Sequence, residues 1–126
     1  MTLQITLGHH AARNAASLAL ADAGSGASSL RLYDSAGTLL GTCVLAKPCG
    51  TIQADGAILL QPAPEPEIAV ASGAAVRLDW CDGHGAPMAS GTVTAEGGGG
   101  DFELTGTSGT QIYAGALVLL QGVVIG

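Results

Sequence analysis

Apolar and polar positions alternate in short runs over most of this chain, and turn-forming residues separate the runs. Residues 30–33 alternate, residues 34–37 (Asp-Ser-Ala-Gly) have turn chemistry, and an apolar run over 38–46 follows. The same design recurs around Asp55-Gly56 and around residues 82–85 (Asp-Gly-His-Gly). About eight to ten short strands of this kind predict a mainly β fold, an antiparallel β-sandwich or jelly-roll-like domain spanning residues 1–126.

Near the start of the chain the period of the apolar positions changes from two residues to that of a helix. Leu7, Ala11, Ala15 and Leu18 lie at helical spacing, and the stripe is widened by Ala12, Ala16, Ala19 and Leu20. The pattern predicts one Ala-rich helix over 8–23, with Thr6 as N-cap and Gly24 after its end, behind a strand or arm over 1–7. Because alanine buries little apolar area, we expect this helix to lie on a sheet edge or on another subunit.

Two segments of the second half make sharper predictions. In residues 76–80, period-two alternation directs Val76, Leu78 and Trp80 into the core and leaves Arg77 and Asp79 outside. In residues 101–105, Phe102 and Leu104 are predicted to face inward. The four glycines at 97–100 are predicted to form a connection with no fixed conformation of its own.

A weak internal sequence repeat accompanies the strand pattern. Residues 31–42 and 77–92 both begin with Arg-Leu, pass through a Gly-containing turn and end in Gly-Thr. Two hairpins of similar design suit a two-sheet architecture, although chance similarity in so Gly- and Thr-rich a chain explains the repeat equally well.

Charged residues are scarce. Only 14 of the 126 residues are Lys, Arg, Asp or Glu, and the net charge is −6. The charged fraction of 11% is less than half of the roughly 25% of an ordinary soluble domain. The four basic residues are scattered and form no patch for phosphates, so nucleic acid is not expected as a partner. The composition favours a protein that packs against other proteins.

Membrane insertion and export are not expected either. No apolar stretch approaches the ~20 residues of a spanning helix, and the first residues lack the basic and apolar regions of a signal peptide. The cysteines, an odd number at irregular spacing, are therefore predicted to be reduced, mostly buried thiols: Cys43, Cys49 and Cys81.

Candidate chemistry is sparse. His9, His10, Cys81 and His84 are soft ligands without the paired spacing of a structural zinc site, so no metal and no cofactor are predicted. The carboxylates do not form a calcium loop, and their positions next to glycine or serine suit turns. Because no nucleophile or phosphate-loop signature is present, the chain is not expected to be an enzyme.

The most specific short sequence motifs of the chain resemble those of a group of small proteins of tailed bacteriophages and prophages. The matching residues are Ala12-Arg13-Asn14-Ala15, Gly24 to Gly26, Leu30-Arg31-Leu32-Tyr33, Gly37-Thr38-Leu39-Leu40, Val76-Arg77-Leu78, Gly91-Thr92-Val93 and Ile112 to Gly115. The resemblance implies a structural role in the virion, which is assembled in the host cytoplasm, and brings no catalytic residues with it.

The resulting expectation is a protein that decorates or cements the capsid in many copies. Its partners would be the major capsid protein, other copies of itself, or both. The predicted contact residues are those of the arm and of the helix stripe: Thr2, Leu3, Gln4, Ile5, Leu7, Ala11, Ala15 and Leu18. The alternative from another class is a receptor- or carbohydrate-binding module of a tail or fibre, which would need exposed aromatic rings.

Overall fold

The computed structural model describes residues 4–64, 67–104, 109–118 and 123–125. Within them the chain forms one helix and a series of strands. In chain order these are α1 Leu7–Ala21, β1 Ser29–Tyr33, β2 Leu39–Ile52, β3 Ile58–Pro62, β4 Glu67–Ile68, β5 Gly73–Ala74, β6 Arg77–Cys81, β7 Pro87–Ala95, β8 Phe102–Leu104, β9 Gln111–Ile112, β10 Leu117–Val118 and β11 Val124–Ile125.

The predicted fold class is confirmed: the protein is mainly β, with a sandwich-like arrangement and one N-terminal helix. Seven strands form a curled sheet in the order β11-β3-β2-β1-β6-β7-β8, and the short strands β4, β10, β5 and β9 pair into two small ribbons. All described pairs are antiparallel except β7–β8.

The parallel pair β7–β8 is joined by residues 96–101 alone, whereas a parallel connection normally takes a dozen or more residues. The glycine connection that was predicted to have no fixed conformation is held in place by its neighbours. Glu103 accepts hydrogen bonds from the amides of Gly97 and Gly99, both at 3.1 Å. The amide of Gly100 donates to the Thr94 hydroxyl at 3.0 Å. These contacts fold the connection back onto β7.

The helix has the predicted N-cap, begins at Leu7, one residue before the predicted start, and ends earlier than predicted. The hydroxyl of Thr6 accepts a hydrogen bond from the amide of His9 at 3.1 Å, which confirms the N-cap. The C-cap is Asp22, so the helix ends at Ala21 rather than at 23. The Asp22 carboxylate accepts a hydrogen bond from the amide of Cys49 in β2 at 3.0 Å. This contact joins the end of the helix to β2.

The hairpins β1–β2 and β6–β7 repeat one design at a spacing of 48 residues. Leu30 pairs with Cys43, and the equivalent Leu78 pairs with Gly91. Each hairpin also has a register shift at the equivalent position. The shift precedes the pair Tyr33–Leu39 in the first hairpin and the pair Cys81–Pro87 in the second. β1 and β6 lie side by side and antiparallel, with Arg31 opposite Asp79. The two hairpins are therefore related by an approximate two-fold axis between those residues. The two Arg-Leu dipeptides of the sequence repeat are not equivalent in the structure, because aligning them shifts one hairpin by two residues relative to the other.

The core lies on one side of the β1–β6 centre. Leu78 and Trp80 are buried and Arg77 is exposed, as predicted, and Phe102 and Leu104 pack against the core. The predictions for two neighbours are wrong. Val76 is 41% exposed because it precedes the first residue of β6, at the end of the core. Asp79 is 8% exposed because it lies at the centre of β6, where Ser90 and Arg77 contact its carboxylate.

The burial of Asp79 is compensated by polar contacts. Its carboxylate accepts a hydrogen bond from the Ser90 hydroxyl at 2.9 Å and lies 3.2 Å from the Arg77 guanidinium. The same guanidinium sits 4.5 Å from the ring centre of Tyr33, its partner across the strands. A buried carboxylate needs such partners, since its desolvation would otherwise oppose folding.

Candidate contact surfaces

The predicted contact residues of the arm lie at one end of α1. Thr2 and Leu3 fall outside the described residues. Gln4 is exposed, Ile5 is half-buried and Leu7 is 56% exposed. An apolar side chain left this far in solvent at a helix start is a candidate for contact with a partner.

The predicted helix stripe is divided between two faces. One face of α1 packs on its own domain: the Asn14 side chain donates to the Gly56 carbonyl at 2.7 Å, Leu18 packs against the core, and Ala21 is fully buried. Ala11 is half-buried next to the same turn. Leu18 and Ala11 therefore hold the helix on the domain, and of the stripe only Leu7 and Ala15 stay open to a partner.

The face of α1 that points to solvent carries Ala15 of the predicted stripe together with the residues that widen it. Leu20 is 53% exposed at one end of this face. The remaining members are exposed and uncharged: Gly8, Ala12, Ala15, Ala16 and Ala19. We call these five residues and Leu20 the outer face of α1. The same helical periodicity contains this set, but a sequence of so many alanines does not show which of two overlapping stripes meets the domain.

A second exposed apolar group lies where the small ribbons meet. Ile68 is 55% exposed, Val70 68% and Tyr113 61%. Hydrogen bonds join their segments, from the Gly115 amide to the Ala69 carbonyl at 2.9 Å and from the Ala114 amide to the Ser72 hydroxyl at 2.9 Å. Sequence reasoning gave this group no role, because its members come together only through strand pairing.

An apolar cleft of about 280 Å³ separates the two ends of the curled sheet. Its walls come from β6, β7, β8 and β11, and its apolar lining consists mainly of Leu78, Trp80, Phe102, Val124 and Ile125. The carboxylate of Asp101 lies at its border, where it accepts hydrogen bonds from the amide and hydroxyl of Thr92 at 2.9 and 3.2 Å.

The thiols are poorly suited to chemistry. All three cysteine side chains are buried, and Cys49 and Cys81 are free thiols. Burial, with the Asp22 carboxylate beside it, raises the pKa of the Cys49 thiol to about 11. Burial also raises the pKa of Cys81. Both groups are protonated at neutral pH, and a protonated thiol is a poor nucleophile and ligand.

Two further properties concern the described residues only. They contain no group of three or more His, Cys, Asp or Glu side chains placed to hold a metal ion. In the part of the chain that the structure describes, no helix has the length and apolar character to cross a membrane.

Comparison of the chain with protein-family models, with curated proteins and with solved structures gives no match.

Proposed function

We propose that this protein is a structural component of a bacteriophage virion that decorates or cements the capsid by binding the major capsid protein in many copies. The observation that carries the proposal is the outer face of α1, which continues at Leu7 into the N-terminal segment. Together they offer a surface of small and apolar side chains on a rigid element, bordered by the exposed side chains of His9 and Arg13. Such a surface allows close approach to a partner at little desolvation cost.

The energetics suit many weak contacts better than one strong contact. Apolar area contributes about 25 cal/mol per Å² buried, and alanine side chains supply little area each. A single copy would therefore bind its partner weakly. A lattice of capsid proteins presents many equivalent sites, and further contacts between neighbouring copies would add to the occupancy of each site.

The sequence motifs that resemble those of phage structural proteins occupy identifiable positions in this fold. In Ala12-Arg13-Asn14-Ala15, Asn14 ties the helix to Gly56 while Ala12 and Ala15 lie on the outer face. The segment 24–26 packs against Gly83, and the amide of Gly26 donates a hydrogen bond to the Gly83 carbonyl at 3.0 Å. The resemblance thus rests on residues that build the fold as well as on residues open to a partner.

The tail or fibre module that binds carbohydrate has weaker support. Trp80 is only 4% exposed, and the Tyr33 ring is covered by the Arg77 guanidinium at 4.5 Å. Phe102 packs on the core, which leaves Tyr113 as the exposed aromatic ring. One ring offers little surface for stacking on a sugar.

The test is binding to capsid shells assembled from the major capsid protein of the same phage. Ala16→Lys places a charge on the outer face of α1, and Ser35→Lys places the same charge on an exposed turn outside it. We expect wild-type protein and Ser35→Lys to co-sediment with shells, and Ala16→Lys to lose at least tenfold in affinity. Wild-type protein that leaves shells bare, or equal binding by both variants, would contradict the proposal.

A truncation tests the N-terminal segment separately. Because Thr6 caps the helix, the deletion should remove residues 1–5 and keep Thr6. We expect a folded protein with the circular dichroism of the wild type and reduced occupancy on shells. Full occupancy would restrict the contact to the outer face of α1.

A further inference from the structure

The two-fold relationship holds for the two central hairpins, but the two ends of the sheet differ. On one side of the axis β1 is followed by β2, β3 and β11, and on the other side β6 is followed by β7 and β8. Val93 of β7 is equivalent to Leu45 of β2. Val93 pairs with Phe102 of β8, whereas Leu45 pairs with Pro62 of β3. β8 thus occupies the position of β3, and among the described residues no strand occupies the position equivalent to β11.

The apolar cleft lies at this position. Phe102 of β8 borders it on one side, and Val124 and Ile125 of β11 border it on the other. Its floor is the core side of β6, with Leu78 and Trp80. At about 280 Å³ the cleft is smaller than the ~300–1,000 Å³ of sites for drug-sized ligands, and its size suits the side chains of a peptide.

We propose that the segment 2–6 of a second copy of this chain adds a strand at the β8 edge and places Leu3 and Ile5 in the cleft. An edge strand beside an apolar cleft is the arrangement used for strand addition, in which backbone hydrogen bonds provide affinity and alternate side chains fill the cleft. The inference concerns contacts between copies of this chain and does not depend on the proposed virion role.

The N-terminal segment has the properties that this site requires. Thr2, Leu3, Gln4, Ile5 and Thr6 alternate polar and apolar, so an extended segment presents both apolar side chains on one face. The segment contains no acidic residue, which avoids repulsion by Asp101 and by a chain of net charge −6. Extended residues span about 3.3 Å each, so residues 2–6 reach roughly 17 Å from the helix start.

The second copy is favoured over the same chain by the position of the segment. Gln4 and Thr6 are exposed, Ile5 is half-buried, and none of the three lines the cleft. The segment leaves α1 beside the β2–β3 turn, where Asn14 and Ala11 contact Gly56. A segment outside its own cleft is available for the cleft of a neighbour.

Disulfide trapping between two variants of the full chain tests the proposal. Ile5→Cys is mixed with Val124→Cys, which lies at the cleft, and separately with Val70→Cys, which is exposed outside it. After mild oxidation, mass spectrometry should find at least tenfold more mixed dimer with Val124→Cys than with Val70→Cys. Equal yields would overturn the proposal. So would an intrachain bridge in the Ile5→Cys/Val124→Cys double variant at high dilution, because it would place the segment in its own cleft.

Sedimentation provides a second readout that needs no engineered thiol. The wild-type chain should gain mass with rising concentration, and Ile5→Asp should shift this self-association to at least tenfold higher concentration. Gln4→Asp adds the same charge, and therefore the same long-range repulsion, on the alternate face, so it should shift self-association by a clearly smaller factor than Ile5→Asp. A wild-type chain that stays monomeric throughout, or equal effects of both substitutions, would refute strand addition.

Discussion

Asp34 and Asp82 make the same contacts in two different turns, 48 residues apart. The Asp34 carboxylate accepts hydrogen bonds from the amides of Ala36 and Thr38 at 3.0 and 2.8 Å. The Asp82 carboxylate accepts from the amides of His84 and Ala86 at 2.9 and 3.1 Å. In each turn the glycine three residues after the aspartate has a positive φ, 84° at Gly37 and 83° at Gly85.

We expect Asp34→Ala and Asp82→Ala each to lower the free energy of unfolding by about 1–2 kcal/mol, because each turn loses a charged acceptor for two amides. β1 and β6 are antiparallel, so the two turns lie at opposite ends of the pair and the effects should add. Urea unfolding followed by circular dichroism measures both. Ser35→Ala, in the same turn as Asp34, is the matched control and should leave stability unchanged.

A hydrogen-bonded chain fixes the indole of Trp80 in the core. The indole N–H donates to the Ser28 hydroxyl at 2.9 Å, and that hydroxyl donates to the Cys81 carbonyl at 2.6 Å. We expect Trp80→Ala to cost roughly 3–5 kcal/mol, as for other large core truncations. Ser28→Ala should cost about 1–3 kcal/mol, because it leaves the buried indole N–H without its acceptor.

A double-mutant cycle separates the hydrogen bond from the packing. In a Trp80→Phe background no indole N–H remains, so Ser28→Ala should be less costly there than in the wild type. An equal cost in both backgrounds would show that Ser28 acts through its bond to the Cys81 carbonyl alone.

The Cys49 thiol should affect stability only at alkaline pH. Burial and Asp22 raise its pKa in the folded protein from 9.0 to about 11, so between these values the unfolded chain releases a proton that the folded protein keeps. Stability should therefore fall as pH rises from about 9 to about 11, and below pH 9 this thiol should have no effect.

Cys49→Ala isolates this contribution, since tyrosine and lysine groups are common to both proteins. Chemical denaturation at several pH values should give a flatter decline above pH 9 for the variant. Parallel declines would indicate that Cys49 ionises as readily in the folded protein as in the unfolded chain.

Glu103 should control the order of the glycine connection. Glu103→Ala removes the acceptor for the amides of Gly97 and Gly99, and hydrogen exchange of these amides should accelerate by about tenfold or more. Glu96→Ala removes a carboxylate of the same connection that has an exposed side chain, and exchange should stay as in the wild type. Unchanged exchange in Glu103→Ala would mean that the Thr94 contact alone holds the connection.

Much of this protein was predictable from short stretches of the sequence. The N-cap at Thr6, the turns after Asp34 and Asp82 and the turn at Gly56 follow from chemistry within a few residues, because the side chain and the amides it binds are close neighbours in the chain. The period of apolar positions likewise predicted the mainly β class and the burial of Leu78 and Trp80.

The tertiary structure decided which surfaces meet. Alternation directs Val76 and Asp79 to opposite sides, but whether a side is covered depends on strands that are distant in sequence, so Val76 is exposed and Asp79 is buried. The face of α1 that contacts the domain, the parallel addition of β8 and the cleft between Phe102 and Val124 arise in the same way. Local composition sets the conformation of each segment, whereas burial and partner surfaces depend on long-range pairing that no single stretch of sequence contains.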